Sequence, residues 1–147
     1  MSLPSSARHM LRIETKARAR ALQLLYAWEL QGEPPVPSVA TGLARLTGTR
    51  QAGILDRAET LAEQVVARLG ALDGHAAAAA ENWRLNRIAT VERNILRLGI
   101  HELEQGEVPP KVAIDEAVRL AHWFAGGRAP AFVNGVLDRI ARSLGRL

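Results

Sequence analysis

The chain has 147 residues, 48% of them hydrophobic, no cysteine, and a formal net charge of +4. That length fits one domain that buries about 70% of the surface its unfolded form exposes. The lack of cysteine excludes a disulfide framework, a thiolate nucleophile and a cysteine-based zinc site, and it is compatible with a reducing compartment such as the cytoplasm. No apolar run reaches the roughly 18 residues of a membrane span, and MSLPSSARHMLRIETKARARA lacks the uninterrupted apolar segment of a secretory signal.

The charge is local. Arg8, Arg12, Lys16, Arg18 and Arg20 face only Glu14 in the first twenty residues, and the rest of the chain is balanced. Residues 1–12 are expected to form a flexible basic arm ahead of a single all-helical domain over 13–147. In ETKARARALQLLYAWEL, residues 14–30, the three- and four-residue spacing predicts a helix with Ile13, Ala17, Ala21, Leu24 and Trp28 along one stripe. On that wheel Lys16 and Arg18 flank the stripe and Arg20 lies near its edge, so all three are expected to project toward a partner. Tyr26 lies opposite the stripe centre with Leu22 one turn earlier, giving a small apolar patch outside the core face. GEPPVP then stops the helix.

A short helix over 38–47 carries Val39, Leu43 and Leu46. A longer one follows with Ile54, Leu55, Ala58, Leu61, Ala62, Val65 and Leu69, ending at Gly70. LDGHAAAAAENW reads as helical because alanine has the strongest helix propensity. TVERNILRLGIHELEQG has Thr90 as its expected cap, Glu92 in its first turn and Gly106 as its stop. In VPPKVAIDEAVRLAHWFAGG, Ile114, Ala117, Val118, Ala121 and Phe124 share a face. The final helix has Pro130 in its first turn, a stripe of Val133, Val136, Leu137, Ile140 and Leu144, and Gly145 as its close. Six or seven helices with short connections predict an all-α compact bundle.

Catalytic constellations are scarce. HELEQ at 101–105 has Gln105 where a two-histidine zinc helix needs its second ligand. His9, His75, His101 and His122 are scattered, which fits surface histidines. Glu102 shares an arc with Val91, Ile95 and Leu98, so its carboxylate needs a donor or the edge of the core. AGGR lacks the lysine and hydroxyl residue of a phosphate-binding loop. Neither an enzyme, a cofactor nor a metal is expected. A helix start crowded with cations, by contrast, suits single-stranded RNA: phosphates are drawn to the helix N-terminus, and guanidinium groups add bidentate contacts and stack on bases.

Three segments carry a specific resemblance in order and spacing: RARALQLLYAWEL, VERNILRLGIHEL running into VPPKVAIDEAVRLA, and FVNGVLDRIAR. Over nearly its whole length from about residue 13 the chain resembles the NusB family of bacterial transcription antitermination factors. The resemblance implies an all-helical fold of two small subdomains and a non-catalytic factor. Such a factor binds the boxA element of nascent ribosomal RNA transcripts, together with the ribosomal protein NusE, in the transcription elongation complex. Lys16 and Arg18 match the family's basic start of helix one, with Arg12 and Arg20 beside them. Tyr26 and Glu92 match the tyrosine and glutamate of the NusE surface, to which Leu22 is added. Glu14 and Thr15 stand where the family often has further arginines. GGRAP replaces an acidic loop and offers Arg128 as an RNA contact, and His101 replaces a frequent aromatic.

Two other readings compete. One is a protein-interaction or oligomerisation module without RNA binding, a homodimer through Leu22 and Tyr26 whose basic arm is merely solvated. The other is a stand-alone relative of the RNA-binding domain of ribosomal RNA cytosine methyltransferases, for which no methyl-donor domain follows Leu147.

Overall fold

The computed structural model describes the backbone of residues 5–47, 53–80 and 88–147, and the side chains of 13–45, 53–80 and 88–147. Among these are seven helices and no strand: α1 (Ser5–Leu30), α2 (Val36–Thr47), α3 (Ile54–Ala67), α4 (Leu69–Ala79), α5 (Thr90–Gln105), α6 (Pro110–Phe124) and α7 (Ala129–Ser143). They fall into two units, Met1–Gln64 and Val65–Leu147, in line with the two helical subdomains expected.

In the first unit α1 starts at Ser5 rather than near Ile13. No glycine or proline interrupts Ser5 to Leu30, and Ala, Leu and Arg dominate, so the helical backbone simply continues through the segment expected to be an arm. At its other end Gly32 (φ 82°) and Glu33 (φ 63°) reverse the chain, and the Glu33 N–H donates to the Trp28 carbonyl at 2.8 Å. The α1 face is wider than one stripe. Ala17, Ala21, Leu24 and Trp28 are buried as expected, and so are Arg18, Leu22 and Leu25. Those three follow each other at the same spacings, displaced by about 100°, so the buried arc spans roughly 160°. Helix α2 packs on α1 and begins at Val36 with Pro37 in its first turn. The side chain of Leu46 lies outside the described residues.

The second unit is built around α5, which contacts α4, α6 and α7. Every residue from Asn94 to His101 is buried, as in a helix surrounded on all sides. Gly99 permits this closeness: a Cβ there would lie 2.7 Å from Leu137 Cδ1 and 3.5 Å from Ala117 Cβ. Two boundaries differ from expectation. The break after α3 falls at Arg68 (φ −119°, ψ 20°), and Gly70 lies inside α4. Residues 81–83 of the alanine-rich stretch lie outside the described residues. Ala89 holds the cap position of α5 and Thr90 is its first helical residue, bonded through Oγ1 to Arg93. Gly106 (φ 71°) stops α5 as expected, its N–H donating to the Glu102 carbonyl at 3.2 Å. Phe124, placed by periodicity on the core face of α6, is exposed, because it is the last residue of its helix and the chain turns away at Ala125.

Candidate nucleic-acid and partner interfaces

The cations of α1 do not behave alike. Lys16 is exposed, and Arg20 is half-buried with Nη1 donating to Gln23 Oε1 at 2.8 Å. Both lie on the outer arc, about 60° to 100° to one side of Ala17. Arg18 lies about 100° to the other side, in the second buried stripe, and is only 6% exposed. The expectation that it projects outward is therefore corrected. The residue already has an interaction within the chain. Arg12 sits one turn before Lys16 on the helical backbone, and its side chain lies outside the described residues. Glu14, the one carboxylate among the first twenty residues, forms an ion pair with Arg57 of α3. The negative charge nearest Lys16 in sequence is thus answered within the fold.

Toward the other end of α1, Tyr26 is 41% exposed and faces outward as expected. Leu22 does not share its patch: at 2% exposure it belongs with Arg18 and Leu25 in the buried arc. The apolar neighbour of Tyr26 is instead Leu30, one turn later and 70% exposed. The four-residue spacing from Tyr26 to Leu30 was a signal available in the sequence.

In the second unit Glu92 is half-buried in the first turn of α5. Its neighbour Arg93 donates to the Ile88 carbonyl at 3.2 Å, binding the segment before the helix to its first turn. Arg128 is exposed at the cap position of α7, directly after Gly126 (φ 72°) and Gly127 (φ 59°).

Two polar clusters here were invisible in the sequence. Arg97, on the buried helix, donates Nε to Asp73 Oδ1 at 2.7 Å and Nη2 to Asp73 Oδ2 at 2.9 Å, while Nη1 reaches Asn94 Oδ1 at 2.9 Å. His101 is buried rather than at the surface, since its position lies on the inner side of α5. Its Nδ1 lies 3.4 Å from Arg68 Nη1, and Arg68 Nη2 donates to Glu104 Oε1 at 2.8 Å. His75, half-buried, lies 3.4 Å from the other Glu104 oxygen, and His122 is exposed. Burial, and then the Arg68 charge, hold the His101 pKa below its ordinary 6.5 against the opposing pull of Glu104 and Glu107. Glu102 is half-buried and has found a partner within the chain. No cluster of histidine and carboxylate groups able to hold a metal occurs among the described residues. No described helix is long and apolar enough to cross a membrane.

The sequence matches the profile of the NusB family across residues 15–142. This chain belongs to the NusB family. The transcription antitermination protein NusB of Sorangium cellulosum is 44% identical over 131 residues, covering 88% of this chain and 92% of that protein. Among solved structures, a chain from the crystal structure of antitermination factors NusB and NusE in complex with dsRNA superposes with a TM-score of 0.79 at 28% identity. The match covers 90% of this chain and 98% of that one. NusB of T. maritima gives a TM-score of 0.78 at 26% identity, covering 97% of this chain and 93% of that one.

Proposed function

We propose that this chain is a non-catalytic, cytoplasmic transcription antitermination factor that binds boxA-type single-stranded RNA of nascent ribosomal transcripts together with NusE, within the elongation complex. The observation that carries the reading is the outward cationic arc at the head of α1, with Lys16 exposed and Arg20 half-buried beside it, in a chain of NusB-family sequence and fold. Lys16 and Arg20, with Arg12 one turn ahead, are the phosphate contacts, and Arg128 is a further contact on the second unit. Arg18 supports the helix from its buried side. Tyr26, with Leu30 beside it, is the anchor for NusE, and Glu92 adds a carboxylate to that partner's surface. The relative crystallised with NusE and dsRNA supports NusE and RNA as partner classes, while the single-stranded boxA target rests on the family resemblance.

Fluorescence anisotropy with a boxA oligoribonucleotide, with and without NusE, tests the reading. Each single-strand phosphate contact contributes about 0.7 to the slope of log affinity against log salt, so the Lys16→Ala, Arg20→Ala double variant should flatten it by about 1.4. An unchanged slope removes these residues from the site. Absence of RNA binding by the wild-type chain under both conditions overturns the function.

A further inference from the structure

Beyond the head of α1, the end of α6 presents aromatic surface that packing does not use. Trp123 is 56% exposed and Phe124, its neighbour, 39%. A single exposed aromatic is ordinary on a protein surface. Here two are adjacent, and the guanidinium carbon of Arg119, one turn earlier, lies 5.9 Å from the centroid of the Trp123 ring. Arg119 keeps only a long contact of 3.8 Å to Glu116, so its charge is not consumed by that pair. The sequence around these residues holds no Asp or Glu between Glu116 and Asp138, whereas Arg119, His122 and Arg128 all fall in that interval and are all exposed.

Asp115 and Glu116 lie on the turn before Arg119, but from Ala117 to Leu137 the sequence has no carboxylate. An open indole, a guanidinium over it and that acid-free stretch suit a ligand that has both a π-face and negative charge. Tryptophan and arginine also anchor protein interfaces, but the stretch from Ala117 to Leu137 carries cations and no carboxylate, which favours an anionic ligand. A nucleotide uses both the indole and the cations, its base stacking on the ring while its phosphate meets the arginines. We infer that Trp123, with Arg119 over it, is a stacking platform for an unpaired base of single-stranded RNA. This inference rests on the RNA-binding reading above and adds a residue that reads the base face rather than the phosphate.

The test is titration of the full chain with a single-stranded oligoribonucleotide, read by anisotropy and by tryptophan emission. The chain has three tryptophans: Trp28 is buried and Trp83 lies outside the described residues, so the part of the quench lost in Trp123→Phe is the part assigned to position 123. Trp123→Ala should weaken binding roughly fivefold to a hundredfold, the range found for loss of one base–aromatic stack, with an unchanged salt slope because no ionic contact is removed. Trp123→Phe should retain affinity within a few-fold and lose most of the emission quench. Arg119→Lys should bind more tightly than Arg119→Gln. Because the side chain is exposed, a melting temperature equal to wild type checks that the fold is unaffected.

Affinity of Trp123→Ala within twofold of wild type overturns the platform. If Lys16→Ala, Arg20→Ala weakens binding in the same assay, the RNA-binding function survives that failure. Loss of NusE binding in Trp123→Ala with RNA affinity intact would make the surface a protein contact and would likewise overturn the inference. A wild-type chain that binds no RNA overturns both readings together.

Discussion

Replacing Asp73 by alanine leaves Arg97 without its bidentate partner, and the structure sets the scale of the loss. The Arg97 side chain is 7% exposed and cannot turn to solvent, while that of Asp73 is 25% exposed. Removing one partner of a buried ion pair costs about 3–5 kcal/mol because the other charge stays buried without its counter-charge; Arg97 keeps its bond to Asn94 and a further contact within the chain. Partial access of water at the Asp73 end places the expectation at the lower limit, about 3 kcal/mol. For a chain of this size that corresponds to a fall in melting temperature of roughly 6–12 °C. The Arg97→Met, Asp73→Ala double variant removes the stranded charge and keeps the stem's volume. It should recover most of the loss, short of about 1 kcal/mol for the donor taken from Asn94 Oδ1. Urea unfolding followed by circular dichroism measures all three proteins. A loss below about 1 kcal/mol for Asp73→Ala, or a double variant no more stable than that single one, would show that the pair is held too loosely for its geometry to matter.

Gly99→Ala should destabilise by up to about 2 kcal/mol in the same assay: the new methyl meets buried Leu137 at less than contact distance, and the overpacking cost of about 1–3 kcal/mol is offset by about 1 kcal/mol of helix propensity. His101 is held below its ordinary pKa, so between the two values the unfolded chain binds more protons than the folded one. The stability due to neutral His101 is complete above about pH 6.5 and is lost as pH falls from there through the lowered value. His101→Gln should flatten that dependence in melts collected from pH 7.5 to 5. Tyr26→Asp should weaken NusE binding by more than tenfold in calorimetry, the loss expected of an aromatic anchor, with the melting temperature unchanged.

Much of the architecture was legible because helical periodicity and glycine stops are local signals. The stripe Ala17, Ala21, Leu24, Trp28 and the stop at Gly106 were each readable within a few residues and stand as expected. What escaped was the width of a face and the partners of a buried charge. A stripe tells where burial is centred, but whether it extends another 60° depends on what the fold brings alongside, and Arg18 and Leu22 fall in that margin. Arg97 and Asp73 are 24 residues apart with no pattern linking them, and only the packing of α4 on α5 brings them together. His101 escaped for the same reason, since histidine spacing says nothing about the depth of a helix that is covered on every side.

The width of that buried arc also decides what α1 can offer to two partners. With Arg18 and Leu22 turned inward, the outward surface holds Lys16 and Arg20 near the head, and Tyr26 and Leu30 toward the tail. Ten residues separate Lys16 from Tyr26, which at 1.5 Å per residue is about 15 Å along the axis. A phosphodiester at one end and a protein surface at the other can therefore occupy the helix together without competing for the same turn. The two proposed sites also differ in chemistry: a cationic contact weakens steeply with salt, while an aromatic anchor does not. Raising salt should accordingly release RNA while leaving NusE bound. Variants at either end should lose one partner and keep the other in separate titrations with RNA and with NusE; loss of both partners from one variant would refute the separation.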